Sequence, residues 1–211
     1  MEHRARLLPL LAGGLLLMVG PARAGVPSPA NSSVPACLAI CPLGDLPFTV
    51  VVRDLANTPL SGASVVLDFS SCTGVFLCPQ LPADPYLLNE PGRTARMFTD
   101  ASGAVSFPLR AGGVCPGQQV NVFANGTLLA MRVVSSPDQD GDGQCVSVIG
   151  ADDPIFASKL GTSDPTADFD CSGAVDATDQ QIFFSHHSHS CLGIVDATLR
   201  SSWGRLKLHY R

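Results

Sequence analysis

The stretch "FTVVVRDLANTPLSGASVVLDF", residues 48–69, decides the fold class. In "FTVVVRD" (48–54) and "ASVVLDF" (63–69) the period is two and Val and Phe dominate, while "NTPLSG" between them carries Pro59 and Gly62, so the order is strand, turn, strand. The same grammar recurs in "RTARMFTDASGAVSFPLR" (93–110), turned at Asp100 to Gly103. It returns in "QQVNVFANGTLLAMRVV" (118–134), where Asn125-Gly126 is the strongest short hairpin signal in the chain. Short strands at this spacing, with no helical period among them, predict a mainly β chain built on a β-sandwich over 46–134.

Outward from that core the composition changes. Residues 1–24 have a basic start (Arg4, Arg6), an apolar run from Leu7 to Val19 and a small-residue site at Ala22-Arg23-Ala24, the pattern of a secretory signal peptide cut before Gly25. The run is shorter than a membrane span requires and contains Pro9, Gly13 and Gly14, so no membrane span is expected after cleavage. Residues 25–45 read as a flexible Pro/Ser-rich leader with the first Cys pair, Cys37 and Cys41. All eight cysteines follow the cut, an even number in a chain bound for an oxidising, extracellular or cell-surface setting, so disulfides are the expectation. Cys72 and Cys78, bracketing "TGVFL", are the pair that local spacing offers for a small loop.

The formal charge of −5 becomes −7 once the signal is removed, and ten of the eighteen acidic residues fall between Asp138 and Asp179. Lys159 is the one basic residue in that interval. A patch of that sign excludes a nucleic-acid surface, which needs positive charge. Like charges at this density destabilise a compact state unless a cation sits among them.

The spacing of the aspartates says which cation. Along "DFDCSGAVDATD" (168–179), Asp168, Asp170, Ser172, Ala174 through its carbonyl, Asp176 and Asp179 occupy positions 1, 3, 5, 7, 9 and 12 of a calcium loop, with Gly173 at the sharp turn of position 6. Ca²⁺ takes six to eight oxygens, and side chains at alternate positions of a tight loop converge on one point. Thirty residues earlier Asp138, Asp140, Asp142 and Gly143 fill positions 1, 3, 5 and 6 of a second copy. Counted without gaps its position 12 is Ile149, which cannot ligate. Three extra residues around "QCVS" bring Asp152 into register with Asp179, with Asp153 as a substitute ligand, and align "DDPIFAS" with "DQQIFFS". Each copy then enters a short helix whose buried face carries Ile155 and Phe156, or Ile182 and Phe183.

Two resemblances follow from these residues. The order "VVVRDLANTPLSGASVVLDF" then "TDASGAVSFPLR" is similar to bacterial Ig-like and carboxypeptidase-regulatory-like sandwich modules, which implies a spacer, stalk or binding platform with a "TDA-G-V-F" hairpin. The insert "SCTGVFLCPQLPADPYLLNEPG" (71–92) departs from them and is expected to be a surface loop stapled by disulfides. The paired loops, each followed by one helix, resemble the dockerin module of secreted bacterial proteins over about 138–191. That resemblance implies a small α-helical, EF-hand-like unit folded by two Ca²⁺ ions and, in its best-known members, a cohesin partner chosen at loop positions 10 and 11, here Ala177 and Thr178.

Two further segments stand apart. "SHHSHSC" (185–191) places His186, His187 and His189 at the end of the second helix, where the dipole favours a cation in a solvated C-terminal turn. The competing account is a transition-metal site through His186 and His189, three residues apart. The tail from 193 to 211 is basic and aromatic, with Trp203 and Tyr210 among Arg200, Arg205, Lys207 and Arg211. No nucleophile elbow, P-loop or dinucleotide fingerprint occurs in the chain. The sequence thus predicts a secreted, non-catalytic, calcium-binding protein, its dockerin-like module (135–192) serving extracellular attachment or assembly with a cohesin-like or other cell-surface protein. The rival expectation is binding of a polysaccharide by the β-sandwich, with the calcium module as an end-piece.

Overall fold

Alternation in "VVVRD" and "SVVLD" is realised as strands that each bury one face. The computed structural model describes residues 25–145, 151–191 and 193–194. The expected signal segment (1–24), Ile149 and the tail beyond 194 lie outside the described residues. In chain order the elements are β1 (Leu38–Ala39), β2 (Phe48–Val51), β3 (Ser64–Asp68), β4 (Phe76–Leu77), β5 (Leu87–Asn89), β6 (Thr94–Phe98) and β7 (Ala104–Phe107). They continue with β8 (Ala111–Gly112), β9 (Val120–Ala124), β10 (Thr127–Arg132), β11 (Val134–Ser135), α1 (Asp152–Lys159), α2 (Ala177–Ser185), β12 (His189–Ser190) and β13 (Gly193–Ile194). The described chain is mainly β, as expected, and no helix in it is long and apolar enough to cross a membrane.

A five-stranded antiparallel sheet runs β10-β9-β3-β6-β5, and β2 pairs with β7 in a separate two-stranded sheet. Val65 and Leu67 of β3, Val120 and Val122 of β9, Phe48 and Val50 of β2, and Val105 and Phe107 of β7 are buried in one apolar core. Asn125-Gly126 does turn a hairpin: both residues have positive φ (46° and 81°), as a type I′ turn demands, and β9 and β10 flank them.

The other two expected turns connect different partners. β2 and β3 lie in different sheets, as do β6 and β7, so 55–62 and 99–103 carry the chain from one sheet to the other and the expected "TDA-G-V-F" hairpin is not formed. A turn does form at Asp100 to Gly103, where Asp100 Oδ1 accepts from the amides of Ser102 (2.8 Å) and Ala104 (3.0 Å). A period of two says which side chains face inward but not which strand lies alongside; passing between sheets lets both strands bury their apolar faces in one core.

The leader is pinned rather than flexible. Ser33 exchanges backbone hydrogen bonds with Val51, Ser28 N–H donates to Arg53 O at 2.7 Å, and Asn31 Nδ2 donates to Asp54 O. Three disulfides form, Cys37–Cys171, Cys72–Cys115 and Cys78–Cys191, separated by 134, 43 and 113 residues. The Cys72–Cys78 pair suggested by local spacing is therefore wrong: the insert 71–92 is tied to distant chain, and Tyr86 within it is buried in the core. Cys41 and Cys145 are buried thiols. Arg110, itself buried, reaches Asp84 at 3.4 Å and donates to Pro79 O and Cys191 O, clamping the insert to the C-terminal segment.

Candidate metal centres

Two loops converge carboxylates in the same way. In the second, Asp168, Asp170 and Asp179 each place an oxygen within 4.8 Å of the others; in the first, Asp138, Asp140 and Asp152 do so. The register with three extra residues is thus the one the fold uses, with Asp152 as the counterpart of Asp179. Asp153 turns elsewhere, its Oδ1 standing 3.1 Å from His187 Nε2 without hydrogen-bond alignment.

The resemblance between the loops extends to the backbone. Asp179 Oδ1 accepts from the amides of Phe169 (2.7 Å) and Asp170 (3.4 Å), and Asp152 Oδ1 from those of Gln139 (2.7 Å) and Asp140 (3.2 Å). Asp168 Oδ2 accepts from Gly173 N–H at 2.8 Å, and Asp138 Oδ2 from Gly143 N–H at 2.9 Å. Asp170 Oδ1 holds Ser172 N–H and Asp140 Oδ1 holds Asp142 N–H, each at 3.1 Å. One turn further, Ser172 Oγ accepts from Ala174 N–H and Asp142 Oδ1 from Gln144 N–H. Positions 4 and 6 are left-handed in both loops: Gly141 and Gly143 in the first, Cys171 and Gly173 in the second. Cys171 holds φ of 61° in a place that favours glycine, anchored by its bond to Cys37.

Asp176 has a structural duty. It caps α2, its side chain accepting from Thr178 N–H at 2.7 Å while Asp179 Oδ2 accepts from Asp176 N–H at 2.9 Å, a reciprocal capping box. Behind the loops the helices meet through Phe156 and Phe183, stacked with ring centroids 4.3 Å apart, and Phe169, Val175 and Ala167 complete a second small core. Leu160 and Ile182 pack half-buried at its margin, while Ile155, expected on the buried face, is half-buried outside that cluster. Lys159 turns to Asp164 (3.5 Å), Gln139 (2.6 Å) and Thr166 (2.7 Å).

Burial, and next the Asp152 charge, pushes the Asp138 carboxyl up to about 7, against the pull of the Gly141 and Gly143 amides. Burial likewise raises Asp168. For Asp138 the folded value exceeds the unfolded one, so the metal-free fold keeps a proton that the unfolded chain has released; stability from this group is greatest at low pH and falls as pH rises from about 4 to about 7. In EDTA the wild type is expected to melt higher at about pH 5.5 than at pH 8, relative to Asp138→Asn, by a difference of the order of 1–3 kcal/mol. Parallel pH profiles for the two proteins would contradict it.

The β-sheet region buttresses the first loop. A Cβ added to Gly112 of β8 would fall on the Asp138 carboxylate, and the adjacent Gly113 donates its N–H to Asp138 O at 2.8 Å. Gly112→Ala is expected to displace Asp138, cost about 1–3 kcal/mol and weaken metal binding at the first loop at least tenfold while sparing the second. Calorimetry on the variant reads both effects.

The histidine run is not a solvated helix end. His186 is buried, its Nδ1 lies 2.6 Å from Ile182 O, and its ring meets His189 edge-on at 5.1 Å. Burial holds His189 below the ordinary histidine range, with Asp45 opposing the shift and His186 adding to it. The turn that follows α2, closed by His189 N–H to His186 O, brings His186 and His189 together, but the residues they face, Cys41 and Asp45, lie more than 140 positions away. No sequence periodicity signals such a contact. No known protein family, curated protein or solved structure matches this chain.

Proposed function

We propose that this is a non-catalytic extracellular protein in which two Ca²⁺ ions complete a dockerin-like module that serves attachment or assembly. The observation that carries the reading is the repeated loop, in which four kinds of side-chain-to-backbone bond recur at matching positions and three carboxylates converge in each copy. Solvated acidic surface would have no reason to repeat that pattern. The donors are all oxygens, which suits a hard cation. Asp138, Asp140 and Asp152 would hold one ion, with Asp142 beside them. Asp168, Asp170 and Asp179 would hold the other, joined by Ser172 and the Ala174 carbonyl and with Asp176 acting through its cap. The bound cation offsets the repulsion among the carboxylates, so its binding energy becomes stability of the helix pair.

The surface offered to a partner is the outer face of α2, where Ala177 and Thr178 are exposed and Phe184 is 53% exposed. Three disulfides fit an oxidising compartment. The polysaccharide alternative draws support from an open groove of about 840 Å³ lined by Gln118, Gln119 and Asn121, whose amides suit sugar hydroxyls, and by the Asp164 carboxylate. Among the described residues none lining it is aromatic, and a sugar ring would have no stacking face there.

Calorimetric titration of Ca²⁺ into the EDTA-stripped chain, with circular dichroism alongside, tests the reading. Two sites with a rise in thermal stability are expected. No binding at millimolar Ca²⁺ would refute it.

A further inference from the structure

We infer that Cys41, Asp45, His186 and His189 form a binding site for a borderline-soft divalent ion of the Zn²⁺ class, separate from both aspartate loops. One ligand atom from each of the four lies within 4.8 Å of every other. Cys41 Sγ is 3.4 Å from His189 Nδ1, His189 Nδ1 is 3.4 Å from Asp45 Oδ2, and His186 Nε2 is 3.5 Å from Asp45 Oδ1. The histidine–carboxylate separations exceed a good N–H···O bond, which runs to about 3.2 Å. They match the edges of a tetrahedron whose metal bonds are about 2.0–2.3 Å long, where neighbouring ligands stand roughly 3.3–3.7 Å apart.

The orientation of His186 points the same way. Its Nδ1 faces Ile182 O, which can only accept, so Nδ1 donates there and Nε2 is the nitrogen turned into the cluster, 3.5 Å from Asp45 Oδ1. A backbone carbonyl fixing the outer nitrogen of an imidazole is also the usual support for a metal-ligating histidine.

Both halves of the site sit on tight turns. Cys41 and Asp45 flank the turn closed by Gly44 N–H to Cys41 O (2.9 Å), and His186 and His189 the turn closed by His189 N–H to His186 O (3.1 Å). Thiolate, two imidazoles and a carboxylate make four protein ligands, a closed set that suits a structural ion. Binding releases the Cys41 thiol proton and ties the N-terminal segment to the end of α2. Cys145, the other buried thiol, is not one of the four ligands.

The test uses the chain secreted through an oxidising compartment and purified without chelator in excess Ca²⁺, so that the aspartate loops and this site report separately. About one Zn²⁺ per chain is expected by elemental mass spectrometry, with two free thiols after denaturation in chelator. Cobalt substitution should give a sulfur-to-metal charge-transfer band. His186→Ala with His189→Ala should weaken Zn²⁺ binding about 100-fold while leaving Ca²⁺ stoichiometry unchanged, and Cys145→Ala should keep both the zinc and the cobalt band. A Cys41–Cys145 disulfide in peptide mapping, no retained zinc, or zinc bound equally by the double histidine variant would overturn the inference.

Discussion

Asp179→Ala is expected to abolish Ca²⁺ binding at the second loop and to destabilise the helix pair by about 3–6 kcal/mol. Asp179 is fully buried and serves three backbone amides at once, those of Phe169, Asp170 and Asp176. Each buried N–H left without a partner costs about 1–3 kcal/mol, and the ligand charge is lost besides. Asp179→Asn separates the two effects. Its remaining side-chain oxygen can still serve Phe169 and Asp170, so most of the metal-free stability should survive while Ca²⁺ affinity falls at least tenfold. Calorimetry gives stoichiometry and thermal melts in EDTA give stability. Equal Ca²⁺ binding in the wild type and both variants would remove Asp179 from the ligand set.

Phe183→Ala should be as damaging without touching a carboxylate. Phe183 is fully buried and stacked on Phe156 (4.3 Å, 5° between planes), in a cluster whose other buried members are Ala167, Phe169 and Val175. So small a core has little around it to collapse into the space, so the cost belongs at about 3–5 kcal/mol, the upper end for a phenylalanine truncation. The expected result is loss of the α1 and α2 helical signal in EDTA and partial recovery at saturating Ca²⁺. The Cys72–Cys115 region, anchored in the other core, should keep its fold. A variant that melts like wild type would mean that the phenylalanine stack is not what joins the helices.

Several elements were legible from residue order because their causes are local. The hairpin at Asn125-Gly126 needs two positive-φ residues, and the chain supplies them in sequence. The second loop places its side chains at alternate positions over twelve residues, so Asp168, Asp170 and Asp179 could be grouped by counting. The first loop was harder, because its closing carboxylate lies fourteen residues from its opening one. Only the matching of "DDPIFAS" with "DQQIFFS" pointed to Asp152, whose Oδ1 accepts from the amides of Gln139 and Asp140 as that of Asp179 does from Phe169 and Asp170.

What residue order determined by itself is the mainly β character, the positions of β2, β3, β6, β7, β9 and β10 and the spacing of the two acidic loops, set by neighbours close in the chain, where spacing alone dictates which side chains share a face or a centre. Tertiary structure alone decided the partners of β2, β3, β6 and β7, the three disulfide pairings and the meeting of Cys41 and Asp45 with His186 and His189. The disulfides and that cluster span 43 to more than 140 positions and depend on how the layers close over a shared core. Burial imposes no periodicity on residues brought together from opposite ends of the chain, so their order carries no mark of the contact.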